Sequence, residues 1–294
     1  MKTKKTQARV LVALLALVMI VLGAGCSSSK KLSGTSKKGM TLRYLFPDQQ
    51  FLNYHTSSAI KQILDINGQD FTVDIGLKTS FSLKLKEKTK TNNFLKVKID
   101  SMEIFVNSPQ GELKPDMDQV NGKGFDMVLS TLGTGLDVSG AEAIQYEMGP
   151  GVKRNVAMTF KYLFPKLPES SLKVGDTWSM VDTISDKYET EEVLMVIENN
   201  YTLAGFETIM GIECARIISV YTGTRTGKAT QQGVEMVSEG TIEGTGTYYF
   251  AYSEGYLVKD VGNSTIDATL VVYGPEERSI PMKYEMNMGT ELVR

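Results

Sequence analysis

The chain has 294 residues, 41% of them hydrophobic, with 32 basic and 34 acidic side chains, one histidine and two cysteines. That is enough apolar material for a sizeable core, while a single histidine excludes a multi-histidine metal site or a two-histidine catalytic scheme within one chain. Eight of the basic residues and none of the acids precede Met40, leaving 24 basic against 34 acidic from there on, a net charge near −10 that repels phosphate backbones and argues against nucleic-acid binding.

Lys2, Lys4, Lys5 and Arg9 precede an unbroken apolar run, Val10 to Leu22, and then small residues, the layout of a secretory signal peptide over residues 1–25. The run is too short for comfortable bilayer spanning, which takes about 20 apolar residues. Leu22-Gly23-Ala24-Gly25-Cys26 resembles the lipobox of bacterial lipoproteins, with Gly23 where that family carries a branched aliphatic residue. The resemblance implies that Cys26 is acylated, with palmitate or a similar chain, and tethers the exported protein to a membrane. The plainer reading is an ordinary cleaved signal with an incidental cysteine. Residues 26–39 hold small and charged side chains with one isolated leucine, a composition that predicts a flexible linker. Aspartate after the cysteine would resemble an inner-membrane retention signal; Ser27 stands there, which favours the periplasmic side of the outer membrane. With Cys26 acylated, Cys214 has no disulfide partner, and its strand-like setting, Ile212 to Val220, predicts a buried, inert thiol.

Met40 to Pro47 reads as a short strand stopped by proline. Phe51 to Ile66 alternates as a strand at Tyr54, Thr56 and Ser58, although Ile60, Ile63 and Leu64 carry helical spacing. Phe71 to Leu85 is a clear half-exposed strand, with Phe71, Val73, Ile75, Leu77, Phe81, Leu83 and Leu85 on one side. The following strand slips phase between Ile99 and Met102, which predicts a β-bulge near Asp100 or Ser101. Phe125, Val128, Leu129 and Leu132 recur at helical spacing and predict a helix over Lys123 to Leu132. Val152, Val156, Phe160 and Leu163 predict a second, and Leu136 to Met148 a hairpin turning at Ser139-Gly140. Tyr-Leu-Phe-Pro occurs at 44–47 and again at 162–165, which leaves an internal repeat open.

From Gly175 the chain reads almost wholly as β. The apolar run Val193 to Ile197 suggests burial on both faces. Val234 to Tyr252 alternates, with Gly240, Gly244 and Gly246 on its apolar side, where they permit close approach of another element. Two further strands carry Ile266, Ala268, Leu270 and Val272, then Ile280, Met282, Tyr284, Met286 and Met288. The expected organisation is a β-rich half with two short helices over 40–168 and an antiparallel β half over 169–294, which can also pack as one domain.

Phe164-Pro165-Lys166-Leu167-Pro168 through Leu172-Lys173-Val174-Gly175-Asp176-Thr177-Trp178, and Gly246-Thr247-Tyr248-Tyr249-Phe250 with Gly255-Tyr256-Leu257, resemble a family of exported bacterial lipoproteins with no assigned activity. The resemblance implies an envelope protein and transfers no chemistry. His55 offers a Ser-His-Asp triad its histidine, but no G-x-S-x-G elbow accompanies it. Asp116 to Gly122 departs from a calcium loop at Val120 and Asn121. Nothing points to an enzyme or a cofactor.

The fold expected is therefore mainly β with a few helices, its long antiparallel sheets curved into one or more open half-barrels under a helical lid. That architecture resembles the incomplete barrels of bacterial lipoprotein-carrier and lipid-binding lipoproteins. The candidate ligand face is the apolar stripe of Met236, Tyr248, Phe250, Met282, Met286 and Met288, since thioethers and aromatics adapt to varied apolar shapes. The reading is a membrane-anchored envelope protein that binds an apolar small molecule or an envelope partner. Plain core packing of the stripe, in a structural or interaction lipoprotein without a pocket, is the alternative.

Overall fold

A computed structural model describes residues 39–293 apart from 49, 150–151, 189–190, 232 and 274–275. The signal peptide, Cys26 and nearly all of the linker lie outside the described residues, which belong to one compact unit. In chain order the strands are β1 (Phe51–Ile66), β2 (Gln69–Lys88), β3 (Asn92–Ser108), β4 (Gly111–Leu113), β5 (Gly124–Ser130), β6 (Gly135–Asp137), β7 (Gln145–Gly149) and β8 (Val152–Asn155), followed by β9 (Thr177–Lys187), β10 (Glu191–Ile209), β11 (Ile212–Gln231), β12 (Val234–Ala251), β13 (Tyr256–Tyr273) and β14 (Arg278–Val293). Among the described residues there are two short helices, α1 (Ser139–Glu142) and α2 (Ala157–Lys161).

Twelve strands form one antiparallel sheet of order β6-β5-β3-β2-β1-β14-β13-β12-β11-β10-β9, with β4 beside β3, while β7 and β8 pair apart. The fold is thus mainly β and antiparallel, as the alternation indicates, and its sheet stays open between β6 and β9. Tight hairpins set the registers. Asn67 and Gly68, both at positive φ, turn β1 into β2 with Ile66 opposite Gln69, the Asn-Gly pair that a two-residue hairpin favours. The expected bulge is present: Ser80 faces Ser101 and Phe81 faces Ile99, so Asp100 is the extra residue and both Ile99 and Met102 turn inward.

Several local expectations are corrected. In place of a helix over 123–132 stands strand β5, Gly124–Ser130, because Phe125, Met127 and Leu129 also satisfy a period of two and β3 offers them a partner edge. Residues 152–155 pair with β7, and only α2 becomes helical, burying Ala157 and Phe160. Ser139-Gly140 begins α1 rather than a hairpin turn. Along β10, Val193, Met195 and Ile197 are half-buried, but Leu194 and Val196 are each 39% exposed on the opposite face, so the run is not buried on both sides.

Residues 40–47 form a strap instead of a strand. Its backbone bonds go to loops at separate parts of the sheet: Met40 bridges Leu172, Tyr44 N donates to Thr131 O at 2.9 Å, and Leu45 N donates to Gly255 O at 2.7 Å. Thr131 follows β5 and Gly255 precedes β13, so the sheet must curl for one short strap to reach both. The two Tyr-Leu-Phe-Pro segments meet here. The Tyr44 ring lies edge-on to Phe164 at 5.3 Å and to Phe250 at 5.0 Å, its Oη donates to the Pro165 carbonyl at 3.0 Å, and Phe46 packs on Phe164. Gly133, at φ +91°, permits this approach, since a Cβ there would stand 2.4 Å from the Pro165 oxygen. Phe160 of α2 completes the filling, edge-on to Phe81 at 5.2 Å and Phe125 at 5.0 Å.

Candidate functional site

Strand register places one face of every long strand on the concave side. One row crosses it as Tyr248, Asp260, Thr290, Thr56 and Thr79, on β12, β13, β14, β1 and β2 in turn. At the strap end of that row, Tyr54, Phe81, Leu83, Leu203 and Phe250 are fully buried in the main core. At the other end Ile60, Leu64, Ile75, Tyr284 and Met286 are only half-buried. Ile242, Ile266 and Met282 are buried there too, but apart from the main core.

The concave face holds two cavities. The larger, about 280 Å³, lies under α2 and is lined by Thr159, Tyr162 and Leu163 from the cover and by Leu77, Tyr221, Tyr248, Asp260, Met288 and Thr290 from the sheet, among others. The smaller, about 140 Å³, is lined by Gln62 of β1, Val193 of β10, Arg225, Met236, Met282 and Tyr284, among others. Five strand steps separate β1 from β10, about 24 Å on a flat sheet, so their meeting at one small cavity shows how strongly the sheet curls. In this cavity Arg225 Nη1 donates to Ser238 Oγ at 2.7 Å with its cation 5.6 Å from the Tyr284 ring centre, and Gln62 Nε2 donates to Tyr284 Oη at 3.2 Å.

All six candidate ligand-face residues lie on the concave side by register, but they are not brought to one place. Phe250 is core, against Tyr44. Tyr248 and Met288 line the larger cavity, Met236 and Met282 the smaller, and Met286 stands between Ser264 and Ile60. Asp260 was missed. The residue is 9% exposed; its carboxylate accepts a hydrogen bond from Thr290 N at 3.1 Å, and burial pushes it up to about 6 against the opposing pull of the Thr290 bonds. The signal was in the sequence: Asp260 keeps the phase of Ile266, Ala268, Leu270 and Val272, an acid on an apolar stripe. Burial likewise pushes Tyr248 up to about 12.

On the outer face a groove of about 470 Å³ includes His55, Ser80, Lys259 and Glu291, and is backed by Thr56, Thr79, Asp260 and Thr290 of the concave row. Ser80 Oγ lies 2.7 Å from His55 Nδ1, and Glu291 is next in register. Serine, histidine and acid thus line up across three adjacent interior strands, whose amides are engaged in the ladders and leave no donors for an oxyanion. In the Asp116 loop, Met117 and Val120 are buried and Asn121 Oδ1 accepts from Met102 N at 2.7 Å, which pins the loop beside the β3 bulge. Cys214 is buried, and burial pushes its thiol up to about 11, the setting of an inert thiol.

No protein-family model and no curated protein matches the chain. Among solved structures it is similar to a protein of Bacteroides fragilis NCTC 9343 with a YmcC-like fold, provisionally described as exported, at 11% identity and a TM-score of 0.27 over 86% of this chain and 98% of that one. It is also similar to an outer membrane channel from Pseudomonas putida F1, at 8% identity and a TM-score of 0.24 over 85% of this chain and 97% of that one.

Proposed function

We propose that this is an exported envelope protein, tethered through an acylated Cys26, that takes an apolar or amphipathic molecule into the concave side of its curled sheet. One observation carries the reading: the chain's own strap, α2 and the segment after it fill only one end of a continuous apolar face, and the other end stays half-exposed around two cavities. Adaptable side chains, Met236, Met282, Met286 and Met288, line that open end. Binding is favoured over catalysis because, among the described residues that line the cavity under α2, Asp260 has neither a second acid nor a nucleophile–base pair for company. An interaction role has separate support in the apolar side chains on the outer face near edge strand β9, Val181, Leu194 and Val196.

Native mass spectrometry and solvent extraction of the full chain, purified from membranes, are expected to release an apolar molecule close to one per chain, and the processed protein to carry acyl mass that Cys26→Ser lacks. Protein that carries no such molecule, and takes up no apolar fluorescent probe, would leave the interaction role.

A further inference from the structure

The larger concave cavity has a chemistry of its own. Its walls include Tyr162 and Leu163 after α2, Tyr221 of β11, Tyr248 of β12 and Met288 of β14, with Asp260 at its floor. Among the described residues no lysine, arginine or histidine lines it, and Asp260 is its one charged group. Two of the tyrosine hydroxyls are engaged with backbone: Tyr221 Oη donates to the Asn263 carbonyl at 3.1 Å and Tyr162 Oη to the Thr183 carbonyl at 3.3 Å. Those residues therefore present ring carbon to a guest more than hydroxyl. In the row beside Asp260, Gly246 faces Gly262, so backbone forms the floor there. The nearest side-chain atom to a Cβ built on Gly262 would be Met288 Cγ at 3.7 Å.

Aromatic faces attract cations, most strongly those stripped of water. A buried carboxylate without a cationic partner is unfavourable, and a cationic guest relieves it. An anionic head group would meet only repulsion here. We propose that this cavity binds an organic ammonium group, such as a trimethylammonium, with Asp260 as counter-ion and the tyrosine rings and Met288 as its apolar collar. At about 280 Å³ it suits a head group, lying just below the ~300 Å³ at which small-molecule sites begin. The inference rests on the trough reading only for the apolar remainder of such a ligand, which would extend toward Met286 and Ile60.

On the inner side Asp260 is faced by the hydroxyls of Tyr44 of the strap, Tyr54 of β1 and Tyr248 of β12, each held neutral because burial raises it. Asp260 also backs the outer-face groove, whose titratable groups are His55, Lys78, Lys259 and Glu291, and Lys161 of α2 lies 5.6 Å from the Tyr162 ring centre. Between pH 5 and 7 the charge that changes inside the cavity is therefore that of Asp260.

The test titrates the full chain, held in an uncharged detergent, with choline, its neutral isostere 3,3-dimethylbutan-1-ol, and butyrate, read by calorimetry and saturation-transfer NMR. Choline is expected to bind at least tenfold more tightly than the isostere and butyrate not at all. Asp260→Asn, which keeps an acceptor for Thr290 N, should erase the tenfold preference. Because choline's charge is fixed, its affinity in the unaltered protein should fall several-fold from pH 7 to pH 5 as Asp260 takes up a proton. Met288→Lys, at a position 40% exposed, should weaken choline at least tenfold more than it weakens the isostere. Equal affinity for choline and isostere, or binding of neither, overturns the proposal. Equal affinity with an apolar molecule still co-purifying leaves the trough reading standing, and a choline preference without such a molecule does the reverse.

Discussion

The two ends of the concave face are built from the same strands with the same alternation, yet one is core and the other is not. Phe81 and Ile75 both point inward from β2, six residues apart; Phe81 is fully buried between Tyr54 and Phe160, whereas Ile75 is half-exposed between Ile60 and Val106. The difference lies off the strand, in the strap and α2, which cover one end and stop near the Asp260 row. A period of two fixes which side a residue faces. Whether that side is dry depends on segments far away in sequence.

Large-to-small substitution should expose this contrast most strongly. Phe81→Ala is expected to cost ~3–5 kcal/mol in denaturant unfolding, the range for emptying a packed aromatic site. Ile75→Ala should cost about 1 kcal/mol, because little of its burial is lost. Similar losses at the two positions would mean that the open end is packed like the closed one.

Asp260 marks the border between the two ends, and its titration sharpens the comparison. Its folded carboxyl sits near 6, above the ordinary value of 3.8, so between about pH 4 and pH 6 the folded protein holds a proton that the unfolded chain has released. Stability should therefore fall as pH rises through that window, by on the order of 3 kcal/mol at ~1.4 kcal/mol per pH unit, and be fully lowered above it. Asp260→Asn should flatten that slope and leave the protein more stable at pH 7.5. A variant whose unfolding free energy follows the same pH curve as its parent would show that Asp260 is not held in a dry border.

A test of the cover itself lies within the closed end. Gly133→Ala places a Cβ against the Pro165 carbonyl and forces alanine to φ +91°, costing about 2 kcal/mol. The loss should appear in thermal unfolding of the unligated protein; an unchanged midpoint would mean that the Tyr44–Pro165 contact does not hold the strap.

Much of the sheet was legible in the chain. The faces of β2 follow directly from alternation, and the bulge at Asp100 follows from a phase slip between Ile99 and Met102. The predicted helix at 123–132 failed because Phe125, Met127 and Leu129 fit a strand as well as Phe125, Val128, Leu129 and Leu132 fit a helix, and a ladder with β3 decided between them. The strap could not be read at all, since its bonds run to Thr131, Leu172 and Gly255, all remote in sequence. For the site, alternation put the six stripe residues on the correct face but carried no information about depth, and so grouped Phe250 of the core with Met288 of the open end. Asp260 was visible as a charge in apolar phase; that it borders a cavity came only from the way β12, β13 and β14 curl.

The pairing of β1 with β14, from Asn53 opposite Val293 to Leu64 opposite Met282, sets the earliest long strand beside the latest in the middle of the sheet. As the polypeptide is made, the hairpins β1–β2–β3 and β9 to β13 can zip up as they emerge, but the seam that unites them waits for the 16-residue strand β14. A product truncated before Arg278 would leave Phe51–Ile66 and Tyr256–Tyr273 as long bare edges, the kind that recruit neighbouring chains. Docking of β14 therefore decides whether those two edges stay bare.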